Sequence, residues 1–332
     1  MRAKDFLLEF EPKPGSADYS PYETPKQDPE WVDEPASWEP PVGYKSNRPA
    51  EIKPLQKKLV KSSFSLAYAN KIGDLLKAEC GAFIENNRTS LENGDYLYRG
   101  INRADMSTDM IIKGTVRDDR VPRDTPKTYH KLMDKFFMNE FGFPYRTASL
   151  FTTTKISTTY DYGAPFLIFP IGDYTLCYSP LILDVTLDVA GGGYSSGGVS
   201  DALKAVVNSL DDTKIRTEGA SLGLKLYSKT SLYGAIQLFQ TFYQAVPSGS
   251  KLSYILEDDV DFYEAMKQFI VDVILPDCGY RETQQYGNAD DSEVMVRCQT
   301  YYGLTYNRPH SLHADDRTFS TLFRNIIQRA LG

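Results

Sequence analysis

Histidine is scarce in this 332-residue chain: His130, His310 and His313 are the whole complement. Catalytic triads and His-rich metal centres therefore have little to be built from. His310 and His313 have a ligand spacing, but Pro309 before them and Asp315-Asp316 after them suit a polar turn, and no metal site is expected. Cysteine is scarce too. Cys80, Cys177, Cys278 and Cys298 lie far apart with no C-x-x-C, which argues against a zinc ribbon or a disulfide framework and leaves free thiols. No apolar run approaches the 18 or so residues that span a bilayer. The opening MRAKDFLLEFEPKPG lacks the apolar core of a secretory signal, so a soluble, not conventionally secreted protein is expected. Positive charge is in deficit: 37 Lys and Arg against 44 Asp and Glu give a net charge of −7. That disfavours sequence-independent nucleic-acid binding, whose affinity comes from neutralised phosphates, although a local basic patch stays open. Internal repeats are also lacking.

Proline and tryptophan are concentrated at one end. Ten prolines from Pro12 to Pro54 and both tryptophans, Trp31 and Trp38, fall within residues 11–57. Residues 1–57 therefore read as an extended arm, because proline removes backbone donors and opposes continued helix. The arm's aromatics favour partial docking, with Trp31 and Trp38 as the anchors. Residues 58–332 read as one folded domain. Phe64, Tyr68, Ile72, Leu75 and Leu76 make the stripe of an amphipathic helix. A second helix is expected between Thr125-Pro126 and Gly142, with Tyr129, Leu132, Met133, Phe136 and Phe137 inward. Further helices are expected over 232–246, 258–270 and 319–331. Strand signals occupy Tyr96–Arg99, the Thr-rich 147–159, Ala164–Ile171 interrupted by Pro165 and Pro170, the alternating 181–189, and 294–306 as a strand or hairpin. Gly191–Gly198 is a flexible loop without the Lys-Ser or Lys-Thr ending of a phosphate-cradling Walker loop. The acidic Glu257-Asp258-Asp259 suits a helix N-terminus through the dipole alone.

Three separated pieces carry the chemistry. Tyr98-Arg99-Gly100 ends a short strand. Leu150-Phe151-Thr152-Thr153-Thr154 is a hydroxyl cluster, followed by Thr159 and Tyr162. Asp291-Ser292-Glu293 leads a carboxylate into the apolar Val294-Met295-Val296. Each alone has an ordinary reading: a strand end with a surface arginine, a β-strand rich in threonine, a turn. In this order, Arg, hydroxyls, Glu, they resemble the Arg–Ser–Glu group of mono-ADP-ribosyltransferases, which includes cholera-toxin-like toxins and the host-modifying transferases of T-even-like phages. The resemblance spans roughly residues 55–306 and rests on short motifs. The aromatic-Arg-Gly matches fully. The Ser-Thr-Ser of the family is replaced by threonines, and Phe151 fits better if the cluster begins at Thr153. Asp291 stands where the family has Glu or Gln.

The resemblance implies an α+β, ADP-ribosyltransferase-like fold: two packed, mostly antiparallel β-sheets around an NAD cleft with flanking helices, and no doubly wound Rossmann sheet. It implies a transferase, more narrowly a glycosyltransferase, that takes NAD as substrate. Arg99, Thr152 and Glu293 would be its catalytic residues. Arg99, Gly100, Thr153, Tyr160 and Tyr162 would bind NAD, and Asp291 the acceptor. Arg99 supplies a fork of donors for the pyrophosphate, with Arg103 and Arg146 as rivals for that role. Gly100 leaves room beside the nicotinamide amide. Glu293 would stabilise the ribosyl cation, Thr152 would bond to Glu293 and fix its rotamer, and Tyr160 or Tyr162 would stack on nicotinamide. The implied partner is a host protein or nucleic acid and no membrane, in the cytoplasm of a host cell. Leu7-Leu8-Glu9 resembles a phage prohead-protease site, which suits an enzyme packaged in a virion before delivery. The alternative is a non-catalytic binding or virion-associated protein that keeps the scaffold.

Overall fold

A computed structural model describes residues 65–101, 110–120, 127–184, 199–245, 260–287, 289–306 and 316–332. The arm, Arg103, the Thr125-Pro126 start signal, the strand expected over 185–189, the glycine loop, the 257–259 acidic cluster, His310 and His313 lie outside the described residues.

The chain opens with α1 (Leu66–Glu79), α2 (Gly81–Asn86) and α3 (Arg88–Asn93). Ser65 caps α1 by accepting from the Tyr68 N–H, and Tyr68, Ile72 and Leu76 of the expected stripe are buried. Strands β1 (Tyr98–Ile101) and β2 (Ile111–Thr115) follow. Next come α4 (Lys127–Phe141), the short α5 (Tyr145–Ala148) and β3 (Leu150–Thr153). Gly142 ends α4 with a φ of 67°, a left-handed conformation that glycine adopts without a Cβ penalty. Then α6 (Ile156–Thr159), β4 (Ala164–Ile171) and β5 (Thr175–Tyr178) lead to a helical region. That region holds α7 (Asp201–Ser209), α8 (Asp212–Ser221), α9 (Lys229–Ala245) and α10 (Val260–Phe269). One π-helical stretch, Ile270–Ile274, joins α10 to α11 (Leu275–Asp277). Strands β6 (Arg281–Thr283), β7 (Glu293–Arg297) and β8 (Thr300–Thr305) and the closing α12 (Asp316–Leu331) complete it.

The architecture is α+β: eight strands in one sheet, ordered β2-β8-β4-β1-β3-β7-β5-β6, flanked by helices. Every pairing is antiparallel. The expected two sheets are thus corrected to one. Its two four-stranded halves meet through a single registered pair, Tyr98 with Thr153. The chain crosses between them from β7 to β8 through Cys298 and Gln299. The expected 294–306 hairpin is therefore two strands that do not pair, because β4, β1 and β3 stand between them. Pro165 and Pro170 do not interrupt β4. They sit one residue inside its ends, where a missing donor removes least of the ladder. Leu181–Asp184, expected to begin a strand, are not in one.

Two hydrophobic cores follow from the register. Leu150, Val294, Val296 and Leu176 belong to a core shared with α1, α2 and α12. Met295 and Cys177, on the opposite side of the same strands, join the core of α4 and α7–α11, against which Phe151 packs. Gly73 lets α1 and α12 approach, since a Cβ there would lie 2.5 Å from the Arg329 Cβ. Among the described residues no helix is long and apolar enough to cross a membrane.

Candidate functional site

Arg99, Thr152, Thr153 and Glu293 lie on three consecutive strands, β1, β3 and β7, with Thr154 just past β3. In the β3–β7 register Thr153 pairs with Glu293 and Thr152 with Val294. Paired residues share a face and alternate residues oppose it. Glu293, Thr153, Met295 and Phe151 therefore lie on one face, and Thr152 on the other. The Thr152 hydroxyl donates 2.8 Å to the Val294 carbonyl and is buried. The expected bond from Thr152 to the Glu293 carboxylate is absent, because strand alternation turns the hydroxyl away. The hydroxyl on the Glu293 face is that of Thr153. It accepts from the Lys155 N–H at 3.0 Å, which leaves its own proton for an acceptor on that face. Thr154 points elsewhere and donates to the Ala289 carbonyl.

Arg99 is half-buried, and its Nη1 donates 2.8 Å to the Phe151 carbonyl. Desolvation lowers its pKa, but a guanidinium stays charged. Two further guanidiniums stack against the Phe151 ring: Arg120 at 3.7 Å from the centroid and Arg146 at 4.6 Å. Arg120 is pushed down to about 10, first by burial and then by repulsion from Arg146 and Arg99. Its Nη1 is buried and has no hydrogen-bond partner among the described residues. Arg146 Nη1 donates 2.6 Å to Glu293 Oε1. The arginine side chain is 6% exposed and the glutamate 22%, so the carboxylate is paired yet reachable. Burial raises the Glu293 pKa to about 7 against the pull of Arg146 and Arg120, and nearby Asp184 pushes the same way as burial.

Arg146 is held from behind by α4. The Asp134 carboxylate accepts from the backbone N–H groups of Arg146, at 2.8 Å, and Thr147, at 3.2 Å, and from the Thr147 hydroxyl. One turn earlier, His130 Nε2 lies 2.8 Å from that hydroxyl. Burial lowers the His130 pKa to about 4, with Arg146 and Arg120 adding to the effect, so it is neutral at pH 7. On the other side, the Glu293 N–H donates 2.8 Å to the Leu183 carbonyl. Ser292 donates to the Ser179 carbonyl and fixes the entry to β7.

Gly100 is required by the protein's own turn. A Cβ there would lie 2.3 Å from the Thr159 carbonyl oxygen and 2.7 Å from the Tyr162 Cβ. Thr159 is buried, its hydroxyl donating to the Ile156 carbonyl. Tyr160 and Tyr162 stand outward, 56% and 55% exposed. Asp291 is exposed, forms a 3.2 Å ion pair with Lys155, and has a φ of 56°, the one positive value for a non-glycine among the described residues. No group of three or more His, Cys, Asp or Glu among the described residues is placed to hold a metal ion.

Sequence reasoning named Arg146 by its nearness in the chain. It missed Arg120, for which no spacing signal exists, and the His130–Asp134 pair, whose i,i+4 spacing on a helix was readable. Comparison of the chain with protein-family models, curated proteins and solved structures finds no match.

Proposed function

We propose that this chain is an NAD-dependent mono-ADP-ribosyltransferase acting on a protein or nucleic-acid acceptor, with an ADP-ribosyltransferase-like fold. The observation that carries the reading is the adjacency of β1, β3 and β7, with Arg99 bonded to the Phe151 carbonyl of β3 and Glu293 of β7 bonded to Arg146, which stacks with Arg120 on the Phe151 ring. Such a group of arginines suits a diphosphate, since guanidinium forks match phosphate oxygens. Departure of nicotinamide takes the bonding pair of the glycosidic bond and leaves positive charge on the ribose. An ionised Glu293 beside the ribose stabilises that charge and orients the 2′-hydroxyl. The acceptor nucleophile then adds to the anomeric carbon and loses its proton. Thr153, on the face of Glu293, replaces Thr152 as the hydroxyl able to orient it. Tyr160 and Tyr162, exposed at the turn over Gly100, are available to stack on a flat ring.

A non-catalytic scaffold is the second reading. It is favoured by the Arg146–Glu293 ion pair, which occupies the carboxylate, and by the threonines in place of serines. Nicotinamide release, measured in the wild type, Arg99→Lys and Glu293→Gln together with NAD-dependent stabilisation, separates the two. The enzyme releases nicotinamide. Arg99→Lys weakens NAD binding because a point charge cannot reproduce the fork, and Glu293→Gln binds NAD but turns over slowly. NAD binding without release in the wild type would establish the scaffold.

A further inference from the structure

Arg120 and Arg146 stack on the Phe151 ring, Arg146 holds Glu293, and Arg99 bonds to the Phe151 carbonyl. With Glu293 ionised, the carboxylates of Glu293, Asp184 and Asp134 face the guanidiniums of Arg99, Arg120 and Arg146, so a diphosphate diester brings negative charge in excess. Arg120 has a buried Nη1 without a hydrogen-bond partner among the described residues. Arg99 commits one nitrogen to a backbone carbonyl. Arg146 commits its Nη1 to Glu293. A dianion entering this cluster draws on Arg146 and brings its own negative charge beside Glu293. Both effects favour the protonated carboxyl.

We propose that Arg146 is shared between Glu293 and the diphosphate of the ligand, so that anion binding is coupled to proton uptake by Glu293. The inference rests on the dinucleotide reading of the site and adds its regulation. The charged and titratable groups around Glu293 come from several elements. Arg146 lies on α5, Arg120 after β2, Asp184 after β5, Cys177 on β5 and Tyr280 after α11. Arg99 on β1 acts on Arg120, and His130 on α4 faces both Arg120 and Arg146. Burial raises the Cys177 thiol and the Tyr280 hydroxyl, so both are neutral near pH 7. His130 is neutral above about pH 5. Asp134 on α4, against Arg146, is raised by burial but held down by hydrogen bonds from Thr147 and Arg146, and Glu293, at about 7, exchanges its proton near neutrality. Affinity for the diphosphate then falls as pH rises, while turnover, which needs the ionised carboxylate, rises over the same interval. A full NAD carries a cationic pyridinium and takes up less proton than a ligand without it.

The test uses ADP-ribose, whose diphosphate diester does not titrate between pH 6 and 8. Calorimetric titration of the full-length wild type, in buffers of different ionisation enthalpy, counts the protons exchanged. The expected result is uptake of about half a proton at pH 7, with affinity falling toward tenfold per pH unit above it. Glu293→Gln abolishes the uptake and binds ADP-ribose about twofold more tightly at pH 7 and about tenfold more tightly at pH 8, because it mimics the protonated carboxyl at every pH. Should that variant not fold, the wild-type proton count decides alone. ADP-ribose binding with no proton uptake overturns the inference and leaves the transferase reading in place. Proton-coupled ADP-ribose binding with no nicotinamide release from NAD supports the inference and overturns the transferase reading.

Discussion

The two halves of the sheet hold their key side chains in opposite ways. In the β1 half, Arg99 is fixed by a neutral backbone carbonyl, that of Phe151. In the β7 half, Glu293 is fixed by a chain of side chains: Arg146 on the carboxylate, Asp134 on the Arg146 backbone, Thr147 and His130 behind Asp134. A backbone acceptor does not change with pH and shifts only if the strand shifts. A relay of charged and titratable groups changes with each member. The Arg99 half is therefore built for constant geometry, and the Glu293 half for adjustable charge.

The largest expected effect removes the charge at the end of that relay. Glu293→Gln should lower turnover by about 10²–10³, the usual loss for one preorganised electrostatic group, without weakening NAD binding. Steady-state nicotinamide release checks it, and a variant with full turnover would sink the mechanism. Next is Asp134→Ala, which strands two backbone N–H groups and the Thr147 hydroxyl in a buried site. A cost of roughly 2–4 kcal/mol is expected in chemical denaturation. Arg146 loses its anchor as well, so the proton uptake that accompanies ADP-ribose binding should change with it. An equally stable variant would mean that α4 does not position Arg146.

His130 gives the relay a pH signature. Its folded pKa of about 4 lies below the ordinary 6.5. The unfolded chain therefore binds a proton across this window that the folded chain refuses, and stability rises with pH from about 4 to 6.5. Glu293 works the other way. Its folded pKa, raised from 4.5 to about 7, makes stability fall as pH rises between those values. Their contributions oppose each other between pH 4.5 and 6.5. Replacing His130 by Gln should remove the rising part, worth up to about 3 kcal/mol, and leave a curve that declines over that range. Denaturant midpoints at pH 5 and 7, in the wild type and His130→Gln, give the comparison.

In the other half the vulnerable point is steric. Gly100→Ala places a methyl 2.3 Å from the Thr159 carbonyl oxygen, and the turn carrying Tyr160 and Tyr162 must move. Overpacking of this kind costs about 1–3 kcal/mol. The effect should be the same at pH 5 and pH 7, since no titrating group takes part.

The parts of this arrangement that were legible in the sequence are those fixed by local pattern. The stripe Tyr68-Ile72-Leu76 and the stop at Gly142 depend on residues close in the chain, and they are found as expected. Of the strand expected over 147–159 only Leu150–Thr153 is one, with helices Tyr145–Ala148 and Ile156–Thr159 on either side. The order Arg, hydroxyls, Glu led to three strands that prove to be neighbours. The face of each threonine could not be read, because a one-residue slip exchanges Thr152 for Thr153 and only the β3–β7 register resolves it. Arg120 was invisible because its partner, the Phe151 ring, lies 31 positions along the chain and no periodicity links them. The single sheet was missed because its continuity rests on one residue pair, Tyr98 with Thr153.

The smallest expected effect on stability decides what Asp291 does. Its backbone has a φ of 56°, and its carboxylate makes an exposed ion pair with Lys155. An exposed pair contributes about 0–1 kcal/mol, so Lys155→Ala should hardly register. Substituting Asp291 itself mixes two effects, the loss of the carboxylate and the cost of a left-handed backbone. Alanine meets that cost, about 1 kcal/mol, whereas glycine does not. Asp291→Ala should therefore be slightly destabilised and Asp291→Gly close to the wild type. If Asp291 faces the acceptor, both variants should lose transfer to the macromolecule equally while nicotinamide release continues, because both lack the carboxylate. If the loop shape matters instead, Asp291→Gly should retain transfer and Asp291→Ala should lose it. Measuring transfer and nicotinamide release in the two variants side by side separates carboxylate from backbone, and full transfer in both would remove Asp291 from the acceptor site.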